Sequence, residues 1–343
     1  MSLLILRAAE VSELMPVSRC IEVMDRAMRA FSSGEVRTPG RTIAPLSPTT
    51  GTGAGFFFLM PGEISAPTEP KAGSGKRDSC YFGAKIVGLD PNNPPRGRPA
   101  VQGFVALFDR STGAPVALLD GARITALRTA AASALASHTL ARADAKTHGI
   151  FGTGVQAAIH LDAISRVRHI ERTLVWGRHP EKARRFAHEQ SRTTDKTVIA
   201  VENPAEAAAC DIVSTVTHSS EPVLQGEWLR AGAHLNLVGA HEPANREADS
   251  DAVASSAVYV DSRESALKEA GDLLIPIAEK RFGPDHITGE IGEVLLGRVP
   301  ARIDNDQVTL YKSLGIVAQD LFAAEYVLRE ARKTGSGLTV EFP

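Results

Sequence analysis

A glycine-rich turn joins a short apolar strand to a helix within residues 147–178, which read THGIFGTGVQAAIHLDAISRVRHIERTLVWGR. The turn is Gly152-Thr153-Gly154-Val155-Gln156-Ala157, and a second apolar strand, Thr173 to Trp176, follows the helix. The G-x-G-x-x-A fingerprint of dinucleotide-binding proteins requires this context, with a strand before and after the helix. The segment therefore predicts a βαβ unit that binds a dinucleotide.

The small residues of the turn each have a physical reason. Gly152 permits the tight turn, Gly154 lets the backbone approach a pyrophosphate, and Ala157 lets the helix pack closely on the sheet. The helix N-terminus offers unpaired N–H groups and the positive end of its dipole to the phosphates. The residues predicted to bind the cofactor at this turn are Gly152, Thr153, Gly154, Val155 and Gln156. The alternative is a tight turn that binds no ligand.

The tip of the second strand indicates which nicotinamide dinucleotide binds. An NAD site usually carries Asp or Glu there, about 20 residues after the glycines, to bond the ribose 2′-hydroxyl. This strand instead ends in Trp176-Gly177-Arg178, without an acid. Because a guanidinium suits a 2′-phosphate, Arg178 favours NADP(H) over NAD(H). The alternative is that Arg178 is a solvated loop cation.

Composition is typical of a globular protein. The 343 residues suffice for two domains, and 43% of them are hydrophobic. The net charge of −2 gives no signal for nucleic acid or anionic membranes, and no apolar run reaches the ~18–20 residues that span a bilayer. Cys20, Cys80 and Cys210 are far apart and predict cytosolic thiols, so we expect a cytoplasmic protein. The spacing of histidines and cysteines predicts no metal site.

The first 120 residues show an antiparallel pattern. Apolar spacing predicts a helix at residues 9–32, and abundant Thr, Pro and Gly predict a loop at 36–54. Residues 66–79 are polar and rich in Gly and Pro, which predicts a mobile loop or insertion. An Ala-rich helix is expected at residues 123–142. The predicted strands are residues 55–60, 81–87, 101–108 and 114–119.

From residue 147 onward, apolar strands alternate with helices, which predicts an α/β domain with a Rossmann-type, doubly wound parallel sheet. The predicted strands are residues 147–151, 173–176, 196–200, 211–216, 233–238 and 257–260. After residue 262 the pattern predicts helix or irregular structure, then a helix over about 314–334 and a last strand over 337–342. Two domains are therefore expected. Residues 126–315 form the NAD(P)-binding domain, and residues 1–125 with 316–343 form a second, α+β domain.

Short motifs follow one another in a specific order along both predicted domains. They are PGRT (39–42), FLMP (58–61), GAKIV (83–87), LLDG (118–121), TALRTAAAS (125–133), GTGVQA (152–157), DIVSTVT (211–217), VGA (238–240), GEIGE (289–293) and YKSLG (311–315). In this order they resemble the ornithine cyclodeaminase/mu-crystallin family, over about residues 5–335. The resemblance implies a homodimer. Its first domain would supply the dimer contacts and the substrate pocket, and its Rossmann domain would bind the nicotinamide cofactor.

The resemblance also implies roles for individual residues. Arg41, Lys85 and Arg128 match the family positions that hold the substrate carboxylate and face the reacting carbon. A guanidinium grips a carboxylate with two hydrogen bonds, and a lysine beside an arginine can have a lowered pKa and exchange a proton with an imine nitrogen. The alternative is that these residues are surface cations. The further implied positions are Met60 and Gly315 for the substrate, and Thr129, Thr215, Val216, Thr217, Val238, Gly239 and Ser313 for the cofactor.

The loop after the fifth Rossmann strand departs from the cyclodeaminase pattern. Cyclodeaminases of the family carry Asp there, whereas this chain has His241. This loop and the YKSLG segment resemble the mu-crystallin-type reductase branch more closely. Because histidine titrates near neutral pH, His241 is a second candidate for the catalytic proton donor beside Lys85. The alternative is a loop histidine without a catalytic role.

The sequence therefore predicts an NAD(P)H-dependent reductase that converts a small 2-imino acid to an L-amino acid. The substrate is a cyclic ketimine such as pyrroline-2-carboxylate or piperideine-2-carboxylate, or the imine of a 2-oxo acid and ammonia. Two alternatives stay open at this point. One is an ornithine or lysine cyclodeaminase with bound NAD, and the other is a crystallin-like protein that binds cofactor and ligand without turnover. Neither a nucleic acid nor a membrane is expected as a partner.

Overall fold

The computed structural model describes residues 2–46, 55–64, 81–90, 92–93 and 96–341. Its contacts divide the chain into two compact units. Unit 1 comprises Met1–Arg128 with Ile316–Pro343, and unit 2 comprises Thr129–Gly315. The first junction lies after residue 128, within a helix, rather than after residue 125.

Strands predominate in the first part of the chain, and strands and helices alternate after it. The first elements are β1 (Ser2–Leu6), α1 (Ala8–Leu14), α2 (Val17–Ser32), β2 (Val36–Arg37), β3 (Thr42–Leu46), β4 (Gly55–Ile64), β5 (Tyr81–Leu89), β6 (Val101–Asp109), β7 (Pro115–Asp120) and α3 (Gly121–Leu140). Next are β8 (Thr147–Phe151), α4 (Val155–Val167), β9 (Arg172–Trp176), α5 (Pro180–Thr193), β10 (Val198–Ala200), α6 (Pro204–Ala208), β11 (Ile212–Thr215), β12 (His234–Leu237), α7 (Ser250–Ala254) and β13 (Ser256–Val260). The last are α8 (Arg263–Glu269), α9 (Gly271–Ala278), β14 (Ile287–Glu290), α10 (Ile291–Leu295), β15 (Val308–Lys312), α11 (Val317–Thr334) and β16 (Leu338–Glu341).

The sheet of unit 1 has the strand order β16-β1-β7-β6-β5-β4-β2, with β3 also paired to β4. Strands β1 and β7 are parallel, and the other neighbours are antiparallel. Helix α11 packs on β4, β5 and β6. Gly62 permits this approach, because a Cβ at that position would lie 2.7 Å from Val317 Cγ1. The sheet thereby has one face buried under the C-terminal helix.

Several expectations for unit 1 are wrong. The helix expected at residues 9–32 is two helices, because Pro16 has no N–H to continue α1 and instead caps α2. Residues 36–54 are not all loop, since β2 and β3 pair with β4, and β1 was not predicted at all. Sheet pairing supplies hydrogen bonds that local composition does not reveal. The segment 66–79 and Cys80 lie outside the described residues.

The sheet of unit 2 is entirely parallel and has the order β10-β9-β8-β11-β12-β15-β13-β14. From β10 to β12 this is the 3-2-1-4-5 order of the Rossmann fold. Apolar clusters cover both faces: one is built around Val213, Leu235 and Leu310, the other around Ile150 and Val175. The predicted fold class, a doubly wound parallel α/β sheet joined to an α+β domain, is confirmed.

Two strands of unit 2 contradict the expectation of helix or irregular structure after residue 262. Strand β14 extends the sheet edge, and β15 inserts between β12 and β13. Strand β15 was missed because it ends in Lys312, a residue type rare in a sheet interior, yet the Lys312 side chain is fully buried. Within the described residues, no helix has the length and apolar character needed to span a membrane.

Candidate active site

The glycine-rich turn has the geometry that phosphate binding needs. Gly152 has φ +124°, a conformation suited to glycine, and Gly154 caps helix α4 without a side-chain hydrogen bond. A Cβ added to Gly154 would meet no atom within 4 Å, so the space in front of this backbone is open. The first turn of α4 carries no acid, and Ala157 lies fully buried in this helix. These residues fit the pyrophosphate of a dinucleotide.

The carboxyl ends of the parallel strands bring several predicted cofactor residues to one edge of the sheet. A cavity of about 190 Å³ lies there, between the turn after β8, the tip of β9 and the loop after β11. Its walls include Gly152, Thr153, Arg178 and Thr217. Two further basic side chains, His179 and Lys182, line the same cavity and were not predicted. Both residues follow Arg178 closely in sequence, and this proximity was the signal that could have identified them as cofactor-binding candidates.

Glu247 organises the loops after β11 and β12. Its Oε1 accepts hydrogen bonds from Thr217 N at 2.7 Å and Thr217 Oγ1 at 2.6 Å. Its Oε2 accepts from Thr215 Oγ1 at 2.9 Å, from Gly239 N at 2.6 Å and from Ala240 N at 3.3 Å. One buried carboxylate therefore fixes three of the residues predicted to bind the cofactor. Burial and nearby Asp272 raise the pKa of Glu247, but the five donors around its oxygens match the ionised form.

Glu247 belongs to a fully buried group with Asp272 and Lys312, which we call the acidic cluster. Asp272 Oδ1 accepts hydrogen bonds from Glu247 N at 2.7 Å and Ala248 N at 3.1 Å. Lys312 Nζ lies 2.8 Å from Asp272 Oδ2 and donates to Ala240 O at 2.5 Å. The acidic cluster therefore connects the end of β15 to the loops after β11 and β12. None of its members was predicted as a site residue, although the motif at 311–315 contains Lys312.

The turn after β15 is also fixed by a buried acid. Asp261 Oδ2 accepts hydrogen bonds from Leu314 N at 2.9 Å and Gly315 N at 2.5 Å, and Gly315 has φ +77°. Ser313 N donates to Leu237 O at 3.0 Å, which places Ser313 beside the end of β12. Ser313 and Gly315 both belong to unit 2. Gly315 is thus assigned to a different unit from the other predicted substrate residues, which belong to unit 1.

His241 lies in the loop after β12, where its Nδ1 is 3.0 Å from Gly239 O. Its ring centroid is 6.1 Å from that of His218, a residue of the cavity wall. Burial is the largest cause of a lowered pKa for His241. The imidazole is therefore neutral at neutral pH, and its Nδ1–H donates to the Gly239 carbonyl. This state makes His241 a poor proton donor.

Unit 1 brings Lys85 and Arg128 together around one carboxylate that the sequence did not predict. Lys85 Nζ is 2.8 Å from Asp320 Oδ2, and Arg128 Nε donates to Asp320 Oδ1 at 3.1 Å. Arg128 Nη1 also donates to Gln319 Oε1 at 2.9 Å. Lys85, Arg128 and Asp320, which we call the basic cluster, are all buried, with Lys85 only 3% exposed. Met60 pairs with Lys85 across β4 and β5 and is buried on the same face.

The pKa of Lys85 is lowered to about 8 because burial, the largest cause, outweighs the opposing charge of Asp320, and the charges of Arg128 and Arg41 act in the same direction as burial. Arg41 lies close enough to Lys85 to act on it electrostatically. The alternative that these residues are surface cations is therefore wrong for Lys85 and for Arg128, which is 5% exposed. A buried amine whose pKa is near neutrality is suited to proton transfer. Helix α11 carried a signal for the missed residues, since Gln319 and Asp320 stand at its start among apolar residues.

The model of the ornithine cyclodeaminase/mu-crystallin family matches residues 1–335. The chain belongs to this family. The delta(1)-pyrroline-2-carboxylate reductase of Bacillus cereus is 34% identical over 99% of this chain and 100% of its own. Mouse ketimine reductase mu-crystallin is 36% identical over 94% of this chain and 95% of its own. The resemblance inferred from the ordered motifs is thereby confirmed.

A solved structure adds a three-dimensional comparison for this family member. The Thermococcus litoralis delta(1)-pyrroline-2-carboxylate reductase, in complex with NADH and L-proline, superposes with a TM-score of 0.90 at 36% identity. The match covers 98% of this chain and 100% of that one. The cofactor in that complex is NADH.

Among the described residues, no group of His, Cys, Asp and Glu is arranged to hold a metal ion. The remaining predicted cofactor positions are found in unit 2. Thr129 is its first residue and is buried on α3, Val155 is 68% exposed at the start of α4, and Val216 packs beneath Gly152. Val238 N donates to Thr215 O at 3.0 Å. The predicted cofactor residues therefore share one unit, and the predicted substrate residues share the other except for Gly315.

Proposed function

We propose that this family member is an NAD(P)H-dependent reductase of small 2-imino acids and forms L-amino acids. The basic cluster is the observation that carries the proposal. It holds two cations against one carboxylate in a buried place, which favours the binding of a second, external carboxylate. It also contains an amine with a pKa near neutrality, which a proton donor requires. The reactions named for the Bacillus cereus and mouse relatives support the same chemistry.

In unit 1, Arg128 and Arg41 would hold the substrate carboxylate, with Met60 lining the same site. Lys85 Nζ would donate a proton to the imine nitrogen as the imine carbon is reduced. Because the pKa of Lys85 is about 8, most of this amine is protonated at neutral pH. The lowered pKa of His241 supports Lys85 over His241 as the donor.

In unit 2, the residues from Gly152 to Gln156 would hold the pyrophosphate at the start of α4. Thr129, Thr215, Val216, Thr217, Val238, Gly239 and Ser313 would line the rest of the cofactor site, and Gly315 the substrate side. When bound, the nicotinamide supplies a hydride from C4 to the imine carbon. The chain contributes orientation and the exclusion of water, through loops that Glu247 holds at fixed positions.

We propose a preference for NADPH over NADH. Arg178, His179 and Lys182 line one cavity with the glycine-rich turn, and β9 ends without an acid. The ribose 2′-substituent would lie beside these three basic side chains, which favour a phosphate over a hydroxyl.

We propose that the protein is a homodimer that works in the cytoplasm. The face of the unit 1 sheet opposite α11 is apolar, with Leu59, Ile86 and Phe104 adjacent across β4, β5 and β6. Phe57 and Phe104 on this face are 37% and 39% exposed, and a second copy would cover them.

The state of the cysteines supports the cytoplasmic location. Cys20 and Cys210 are buried free thiols, as the cytoplasm allows. Sedimentation at the monomer mass would refute the dimer, and cell fractionation tests the location.

One experiment tests the proposed function. NADPH and NADH oxidation is measured with purified protein, supplied in turn with pyrroline-2-carboxylate, piperideine-2-carboxylate, and 2-oxo acids plus ammonia. We expect turnover of a cyclic ketimine, slower reaction with open imines, and L-amino acid as product. L-ornithine and L-lysine without added cofactor should release no ammonia, because His241 replaces the cyclodeaminase Asp. Release of ammonia from either would assign a cyclodeaminase, and cofactor binding without any turnover would assign a binding protein.

A further inference from the structure

Asp320 joins three elements that are far apart in the chain. It lies in the first turn of α11, is fully buried, and contacts Lys85 of β5 and Arg128 of α3, which is 192 residues away in sequence. Each of its two oxygens contacts a different cation. A single carboxylate therefore determines both the separation and the orientation of the two basic groups.

Arg128 shows how this contact prepares a guanidinium for a ligand. Its Nε donates to Asp320 and its Nη1 to Gln319, and neither bond uses Nη2. Two bonds in the plane of the guanidinium fix its rotation about the side-chain axis. Gln319 is itself oriented, because its Nε2 lies 3.7 Å from Met28 Sδ. The plane of Arg128 is thus set before any substrate arrives.

We propose that Asp320 is the positioning residue of the substrate site, holding Arg128 and Lys85 at the separation needed to bind and protonate one 2-imino acid. The proposal rests on the proposed function for the identity of that substrate. Asp320 does not touch the substrate in this proposal, and it acts through the two cations. Gln319 completes the arrangement by restraining Arg128 from a second direction.

The charges facing Lys85 give the proposal a pH signature. They are Asp320 on α11, Arg128 on α3 and Arg41 before β3. Among the described residues that act on it, Asp320 alone favours the charged amine, whereas burial and the two arginines disfavour it. Removal of the Asp320 charge should therefore lower the pKa of Lys85 further below its present value of about 8. The proposed donor is the protonated amine. As the pH rises, activity should therefore decline at a lower pH in the variant than in the unaltered enzyme.

The test compares Asp320→Asn with the unaltered enzyme and with Asp25→Asn. Asp25 pairs with Arg29 on the surface of α2 and provides an acid-to-amide control within unit 1. For Asp320→Asn we expect KM for the imine to rise about 10- to 100-fold, as for loss of a charge-assisted contact. The alkaline limb of the kcat/KM profile should move down by about one pH unit or more. The affinity for NADPH, bound by unit 2, should stay unchanged, and Asp25→Asn should alter none of these quantities.

Asp320→Glu keeps the charge but lengthens the side chain. This variant tests the positioning role of Asp320 if Asp320→Asn does not fold. It should retain the alkaline limb and still raise KM, because Arg128 is displaced. A crystal structure of the folded variant gives a readout that needs no activity: Arg128 and Lys85 should leave their present positions. Unmoved cations, or an unshifted limb in Asp320→Asn with an unchanged KM, would overturn the proposal while the proposed function stands. Absence of imine turnover by the unaltered enzyme would instead refute the proposed function, and the crystal structure would still decide whether Asp320 holds the cations.

Discussion

The basic and acidic clusters have opposite compositions. The basic cluster of unit 1 has two cations, Lys85 and Arg128, around one carboxylate. The acidic cluster of unit 2 has two carboxylates, Glu247 and Asp272, and one cation, Lys312, which contacts Asp272. Both clusters are buried. In the acidic cluster, N–H and hydroxyl groups of the chain itself neutralise the extra negative charge through five hydrogen bonds to Glu247. In the basic cluster, only Gln319 adds such compensation within the described residues.

The difference separates a scaffold from a binding site. A buried charge whose hydrogen bonds are all made by its own chain needs no partner and holds its surroundings in place. A buried excess of charge is costly until a ligand of opposite sign arrives. The acidic cluster is therefore expected to support the cofactor loops, and the basic cluster to recognise a carboxylate. Substitutions in and around each cluster test this assignment.

The largest effect is expected at Lys85. Lys85→Ala should lower kcat by about 10²- to 10⁴-fold, the usual contribution of a general acid. NADPH affinity, measured by fluorescence titration, should be retained, because the predicted cofactor residues belong to unit 2. Lys146→Ala, which removes an exposed ion pair with Glu171, is the control. A near-normal kcat for Lys85→Ala would mean that water or His241 donates the proton, and it would contradict the catalytic role of the basic cluster.

Arg178 extends the comparison to an exposed charge. Arg178→Ala should raise KM for NADPH by the equivalent of about 1.5–3 kcal/mol, as for a charge-assisted hydrogen bond, and should spare NADH. Arg184 on α5 is a matched control, because Glu181 and Glu202 already neutralise it. Steady-state kinetics with both cofactors give the answer. Equal use of NADPH and NADH by the unaltered enzyme, with no effect of Arg178→Ala, would remove the NADP(H) assignment.

Glu247 tests the scaffold side of the comparison. Glu247→Gln turns an amide N–H₂ toward donors such as Thr215 Oγ1 or Gly239 N, so at least one buried group loses its acceptor. Urea unfolding should show a loss of about 1–3 kcal/mol in stability, accompanied by weaker cofactor binding. KM for the imine at saturating cofactor should change little. Glu264→Gln, at an exposed pair with Lys268, serves as the control. Unchanged stability and cofactor affinity would mean that the acidic cluster does not support the loops.

The parts of the molecule that local sequence determines were predictable. Apolar runs located strands β8 to β13, and the glycines located the turn before α4, because each signal depends on neighbouring residues. Strand β15 was missed because the burial of Lys312 depends on Asp272, 40 residues away. Asp320 was missed for the same reason, since its partners come from β5 and α3. Long-range pairs of buried charges leave no periodic trace in one sequence.

The discontinuous make-up of unit 1 has a consequence for biosynthesis. Residues 129–315 form one uninterrupted segment, so unit 2 has all its strands before the ribosome has translated α11. The sheet of unit 1 is incomplete until residues 316–343 are translated, because they supply both its covering helix and the edge strand β16. Until Asp320 emerges, Lys85 and Arg128 lack the counter-charge that it supplies, and their burial is less favourable. Nascent chains that stop before α11 therefore present an unfinished apolar sheet, the kind of surface that chaperones bind.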